Sequence, residues 1–136
     1  MSDNSALLEE IYERAIGERA VVCKNWIWAA GMLVSVPPEK GSEKRTTKRL
    51  DEGQVVLKNS GYIPIFKDAT TRSRLHTLVR KAYGPEAIIL LTSSKPSAGS
   101  GAIWRISVKG RFTPGANYQS EAEALVTALE ATNVQP

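Results

Sequence analysis

Three stretches of this chain carry apolar residues at helical spacing, and the β-type runs between them never repeat a strand-helix-strand unit. Leu8, Ile11, Tyr12, Ala15 and Ile16, with Leu7 beside them, share one face of a first helix predicted over residues 2–18. Asp3, Asn4 or Ser5 can cap its start, Glu9 and Glu10 suit the positive end of the helix dipole, and Gly17 marks its end. Leu75, Leu78, Val79 and Ala82 form the stripe of a second helix that Asp68 caps and Gly84-Pro85 closes. Ser120, followed three residues later by Glu123, is a capping box ahead of Ala122, Leu125, Val126 and Leu129, the apolar face of a third helix. β-branched and aromatic residues gather at 20–36, where Ala29-Ala30-Gly31 can turn between two strands, and again at 54–57. Residues 87–92 read as a buried strand that pairs with 102–108 in a long hairpin, joined by the Ser- and Gly-rich 93–101. This order predicts a small single α+β domain over 1–136: a mainly antiparallel sheet of four to five strands packed with three helices. A chain of 136 residues buries about two-thirds of its unfolded surface, enough for a core without staples.

Residues 37–50 depart from that pattern. Lys40, Lys44, Arg45, Lys48 and Arg49 are set against only Glu39 and Glu43 there, a net +3 of the chain's formal +4. With Pro37-Pro38 at its start, Gly41-Ser42 inside it and Leu50 alone to bury, the segment is predicted to be a flexible, solvated loop. Charge concentrated in this way points to an anionic partner. Cys23 is the lone cysteine, so no internal disulfide can form and a reducing, cytoplasmic setting is expected. The longest apolar-leaning run, 26–36, falls far short of the ~20 residues that span a bilayer, and residues 1–6 lack the pattern of a signal peptide. No membrane partner is therefore expected.

Catalysis finds little support in the residue types. His76 is the sole histidine, set among Arg72, Arg74, Arg80 and Lys81 with no acid to orient it, and reads as a solvated helix-face side chain. A metal cage would have to be assembled from Cys23, His76 and carboxylates, and the glutamates are spaced as ordinary exposed helix faces. The 93–101 segment offers small residues to a phosphate but lacks the Gly-Lys-Ser/Thr ending of a P-loop. No enzyme and no cofactor are expected.

Two groups of residues suit phosphate chemistry instead. Arg105, Lys109, Arg111, Phe112, Asn117 and Tyr118 surround the last strand and the turn after it, where guanidinium groups suit phosphate oxygens, rings suit a purine face and an amide can read a base edge. The alternative for these cations is an edge strand protected by charge. Trp26 and Trp28, two apart on an expected strand, face the same side, either packed beneath a helix or offered as a stacking platform. The second group is Lys40, Lys44, Arg45, Lys48 and Arg49 with Arg72 and Arg74 on the second helix, a set suited to nucleic-acid phosphates. No helix-turn-helix, zinc or RNP signature accompanies it.

Trp26-Ile27-Trp28 with Gly31-Met32-Leu33, Asp68-Ala69-Thr70 leading to Leu75 and 78–84, then Trp104 and the closing 121–130 with Glu121-Ala122-Glu123-Ala124-Leu125, together resemble small accessory proteins of tailed phages and prophages. The resemblance covers most of the chain and brings no active-site residue. It implies a phage accessory protein acting in bacterial cytoplasm. Two roles fit it: an oligomeric protein that holds a phosphorylated small molecule or nucleotide, sequestering an immune signalling nucleotide of the host, or a nucleic-acid-binding protein using 40–49. Inhibition of a host protein through a surface patch is a third.

Overall fold

A computed structural model of the protein describes residues 2–41, 44–57, 60–84, 88–94, 103–108 and 118–132. Among the described residues, three helices and five strands in two antiparallel sheets make an α+β fold, as the alternation of apolar periods predicts. The chain gathers into two compact units, residues 1–22 with 26–74 and residues 23–25 with 75–136.

The first unit is built on helix α1, Ser2–Val21, and a sheet of strands β1, Leu33–Val36, β2, Thr46–Arg49, and β3, Ile63–Pro64, in the order β2-β1-β3. The helix runs four residues past Gly17. Gly17 lies inside it because a Cβ there would stand 2.5 Å from Ile63 Cγ2 and 2.8 Å from the Pro64 carbonyl oxygen. The glycine lets α1 touch β3 backbone to backbone, and the buried Ile16 and Ala20 flank that contact. Because the helix starts at Ser2, Asp3, Asn4 and Ser5 fall in its first turn rather than before it. Strand β1 pairs antiparallel with β2 from Leu33 opposite Arg49 to Val36 opposite Thr46, and its Val34 and Ser35 meet Pro64 and Ile63 of β3.

Three further expectations are corrected in this unit. The basic segment is not a loop throughout, since 46–49 form β2; all four side chains are exposed, but pairing with β1 satisfies backbone groups that apolar content gave no reason to order. Residues 54–57 are not a strand, and Val55 and Leu57 are 81% and 73% exposed. Of 20–36 only Leu33–Val36 is a strand; residues 26–29 have no regular structure.

Helix α2, Ala69–Tyr83, starts in the first unit and continues into the second. Its cap is as predicted: Asp68 Oδ2 accepts from Thr71 N at 3.0 Å and Thr71 Oγ1 at 2.9 Å. Its end is as predicted at Gly84, whose φ of +104° only glycine adopts without strain; Pro85 lies outside the described residues.

In the second unit β4, Ile89–Ser94, pairs with β5, Ile103–Val108, from Ile89 opposite Val108 to Ser94 opposite Ile103, the expected hairpin. The connection expected at 93–101 begins later, because Ser93 and Ser94 belong to β4; residues 95–102 fall outside the described residues. Helix α3, Glu121–Ala131, packs on β5, where Ile106 and Val108 are buried. Ser120 Oγ caps α3 by accepting from Glu123 N at 3.1 Å, and Ala122, Leu125, Val126 and Leu129 are all buried as the stripe predicts. Tyr83 Oη donates to the Ala128 carbonyl at 2.7 Å, and Asn25 Nδ2 donates to Thr132 Oγ1 at 2.7 Å. The β4 strand is not the buried strand expected: Leu90 is 57% exposed, because it lies opposite Ser107, on the face of the hairpin away from the buried Ile106 and Val108.

Candidate functional site

Residues 46–49 of the basic segment pair with β1 as an antiparallel ribbon, and β2 is an edge strand of its sheet. Lys40, Lys44 and Lys48 are exposed along it. The arginines are placed differently. Arg45 donates through Nε to Ser35 Oγ at 2.7 Å and through Nη2 to the carbonyls of Ser35 and Gly61 at 3.1 and 2.6 Å. Burial, then the nearby Arg14 guanidinium, lowers its pKa from the ordinary value; a guanidinium nevertheless stays protonated.

Arg49 reaches the other way. Its Nη1 donates to Asp68 Oδ2 at 2.9 Å and Nη2 to Asp68 Oδ1 at 3.0 Å, a two-pronged pair, and Nη1 also donates to the Gly31 carbonyl at 2.7 Å. The Arg49 hydrogen bonds, then those from Thr71, hold the Asp68 carboxyl well below the usual carboxylate range, against the opposing effect of burial. Thr71 Oγ1 in turn accepts from Leu33 N at 2.8 Å, tying the start of β1 to the first turn of α2. Arg74 Nε donates to the Ala30 carbonyl at 3.2 Å, and Arg72 Nη1 donates to the carbonyls of Phe66 and Lys67. Arg45, Arg49, Arg72 and Arg74, all expected to serve a partner, thus each hold a loop of this chain as well.

Two of these arginines, Arg49 through Gly31 and Arg74 through Ala30, hold the segment 26–32. Gly31 N donates to the Leu50 carbonyl and Leu50 N to the Met32 carbonyl, each at 2.9 Å, so the segment is paired to the residue that follows β2. Gly31 has φ +89°, and a Cβ there would meet Thr70 Cγ2 at 3.3 Å. Trp26 and Trp28 do not sit on a strand, and the same-face argument for them fails; their rings meet edge to face at 5.3 Å. Trp26 continues to Phe66 at 6.1 Å and Trp28 to Tyr62 at 6.3 Å, both near perpendicular. The four rings make a ladder, Tyr62-Trp28-Trp26-Phe66, whose Phe66 end is buried and whose other three members are half-buried. Trp26 Nε1 is buried with no hydrogen-bond partner.

In the second unit Arg105 is exposed on β5, opposite Thr92. Tyr118 is brought to the neighbouring residue: Trp104 N donates to the Tyr118 carbonyl and Tyr118 N to the Trp104 carbonyl, each at 2.8 Å. Lys109, Arg111, Phe112 and Asn117 lie outside the described residues, and Trp26 and Trp28 belong to the first unit. His76 has an acid near it after all, with Glu121 Oε2 3.4 Å from its Nε2. Among the described residues no three His, Cys, Asp or Glu side chains cluster to hold a metal, and no helix is long and apolar enough to cross a membrane.

Sequence reasoning missed Asp68 as the partner of Arg49, and Tyr62 as the ring beside Trp28. Asp68 was legible only as a cap, because a pairing across 19 residues leaves no local signal. No family model matches this sequence, and neither a curated protein nor a solved structure matches it.

Proposed function

We propose that this chain is a non-enzymatic binding protein that engages nucleic acid through the β1–β2 ribbon, serving as a phage-type accessory protein in the cytoplasm of a bacterial host. The observation that carries the reading is the edge strand β2, exposed at all four residues, with Lys40, Lys44 and Lys48 along the ribbon and Arg45 and Arg49 fixed by hydrogen bonds. Lysines on mobile stems suit phosphates as point charges, and arginines already ordered lose less freedom when a phosphate arrives.

Affinity from such contacts falls with salt, by a slope of about 0.9 per phosphate neutralised on duplex. The double variant Lys40→Glu with Lys48→Glu removes two cations that make no structural bond described above. It should weaken binding to random oligonucleotides at low salt and flatten the salt slope by about 2 while leaving thermal unfolding unchanged. Wild-type protein that binds no oligonucleotide at low salt would sink the proposal.

A second reading starts from the reciprocal Trp104–Tyr118 bond, which brings Tyr118 alongside β5, the strand that carries Arg105. In it a homo-oligomer holds a phosphorylated small molecule or nucleotide at Arg105 and Tyr118. Native mass spectrometry of protein from bacterial cytoplasm reads subunit number and retained ligand together, and bare monomers would remove this reading.

A further inference from the structure

We infer that the nucleic acid taken by the ribbon is single-stranded, with Trp28 and Tyr62 stacking on its bases while Arg45 and the ribbon lysines hold its phosphates; this rests on the nucleic-acid reading above. Cation and ring are tied together through the backbone. Arg45 Nη2 donates to the carbonyl of Gly61, the residue before Tyr62, at 2.6 Å. Gly61 has φ +80°, and a Cβ on it would meet Pro37 Cγ at 3.2 Å, so this turn lies against the residue that follows β1. Tyr62 N donates to Ser60 Oγ at 3.3 Å, which fixes the same turn from its other side. From Tyr62 the ladder passes to Trp28, and the Trp28 loop is held to the end of the ribbon by Arg49 on Gly31 and by the Gly31–Leu50 bond.

The chemistry of that grouping separates the two forms of nucleic acid. The Arg45 bonds described use Nε and Nη2 and do not engage Nη1, whose N–H groups suit a phosphate oxygen. Edge-to-face contact between Trp28 and Tyr62 at 84° leaves ring surface that is not covered by a parallel partner, and both rings are half-buried rather than buried. Half-buried aromatic rings beside cations held at fixed spacing suit a strand whose bases are splayed out to stack. In a duplex the bases are already stacked on one another, and the rings of this ladder would have no role. Ribbon cations alone would bind both forms; the rings add affinity for one.

The test is a titration of the full chain with oligo-dT, with a duplex of equal length and with a base-free polyanion such as heparin, following tryptophan fluorescence. Oligo-dT should quench the fluorescence and bind about tenfold more tightly than duplex, the scale of one base stacked on a ring. Tyr62→Leu should remove most of that preference while leaving duplex and heparin binding in place. Tyr62→Phe keeps a ring and should retain the preference, which separates stacking from damage to the fold. Equal binding of the single strand and the duplex without quenching, with Lys48→Glu still weakening both, would overturn the inference and leave the ribbon reading standing. Absence of binding to any of the three would overturn both.

Discussion

The two described sheets differ in what holds their surroundings. The sheet β2-β1-β3 buries Val34, Ile63 and Pro64, but its loops and strand ends are also fastened by polar side chains, with Arg45, Arg49, Thr71 and Arg74 each donating to or accepting from backbone groups. The β4–β5 hairpin is fastened by burial: Ile106 and Val108 lie under α3, whose six buried residues are all alanine, leucine or valine. Polar fastening orders a surface without hiding it, because an arginine can hold a carbonyl and still carry its charge in water. Apolar fastening removes its residues from any partner. The difference teaches where to look for binding, and the candidate site falls in the sheet that is tied by hydrogen bonds.

The sharpest way to break the comparison is in the second unit. Leu125→Ala deletes a fully buried side chain of α3 and should cost about 2–5 kcal/mol, independent of salt, as read by denaturant unfolding. Next is Gly17→Ala. On an exposed helix that change stabilises by about 0.5–1 kcal/mol, but here the new methyl would press on the Pro64 carbonyl and should destabilise by about 1–3 kcal/mol. A stabilised variant would show that α1 does not approach β3 so closely.

Smaller still is Asp68→Ala, which removes the cap of α2 and should cost about 1 kcal/mol, with Asp68→Asn costing less because asparagine also caps. The pH dependence sharpens this case. Since Asp68 is held below its ordinary value near 3.9, the unfolded chain binds its proton first. Its contribution is therefore complete above about pH 5 and is lost as pH falls below about 4. Glu13 acts in the opposite sense, because burial raises its pKa and the folded state takes up its proton first. Acid titration of Asp68→Asn against wild type isolates the first effect, and parallel acid limbs for the two proteins would refute it.

What could be read in the sequence followed the range of the interaction involved. The starts of α2 and α3 were legible at Asp68 and Ser120 because a cap bonds to an N–H three residues away. The hairpin was legible through its β-branched and aromatic content. Strand β2 was hidden, since Thr-Thr-Lys-Arg has no residue to bury and is ordered by pairing with β1. Gly17 was misread as a stop because its reason lies in Ile63 and Pro64, more than forty positions away. Of the candidate site, the cations were visible as a count, but their division into carbonyl-bound arginines and exposed lysines was not. The aromatic ladder was visible only as two tryptophans assigned to the wrong element.

The edge-to-face meeting of Trp26 and Trp28 also has an optical meaning. Two indoles with ring centres 5.3 Å apart and planes at 90° have electronic transitions that couple, and a coupled pair of fixed handedness gives a signed doublet in circular dichroism. Neither ring can produce that signal alone. The protein thus carries a chromophore pair whose spectrum reports whether the Arg49, Arg74 and Leu50 bonds are holding the 26–32 segment in place.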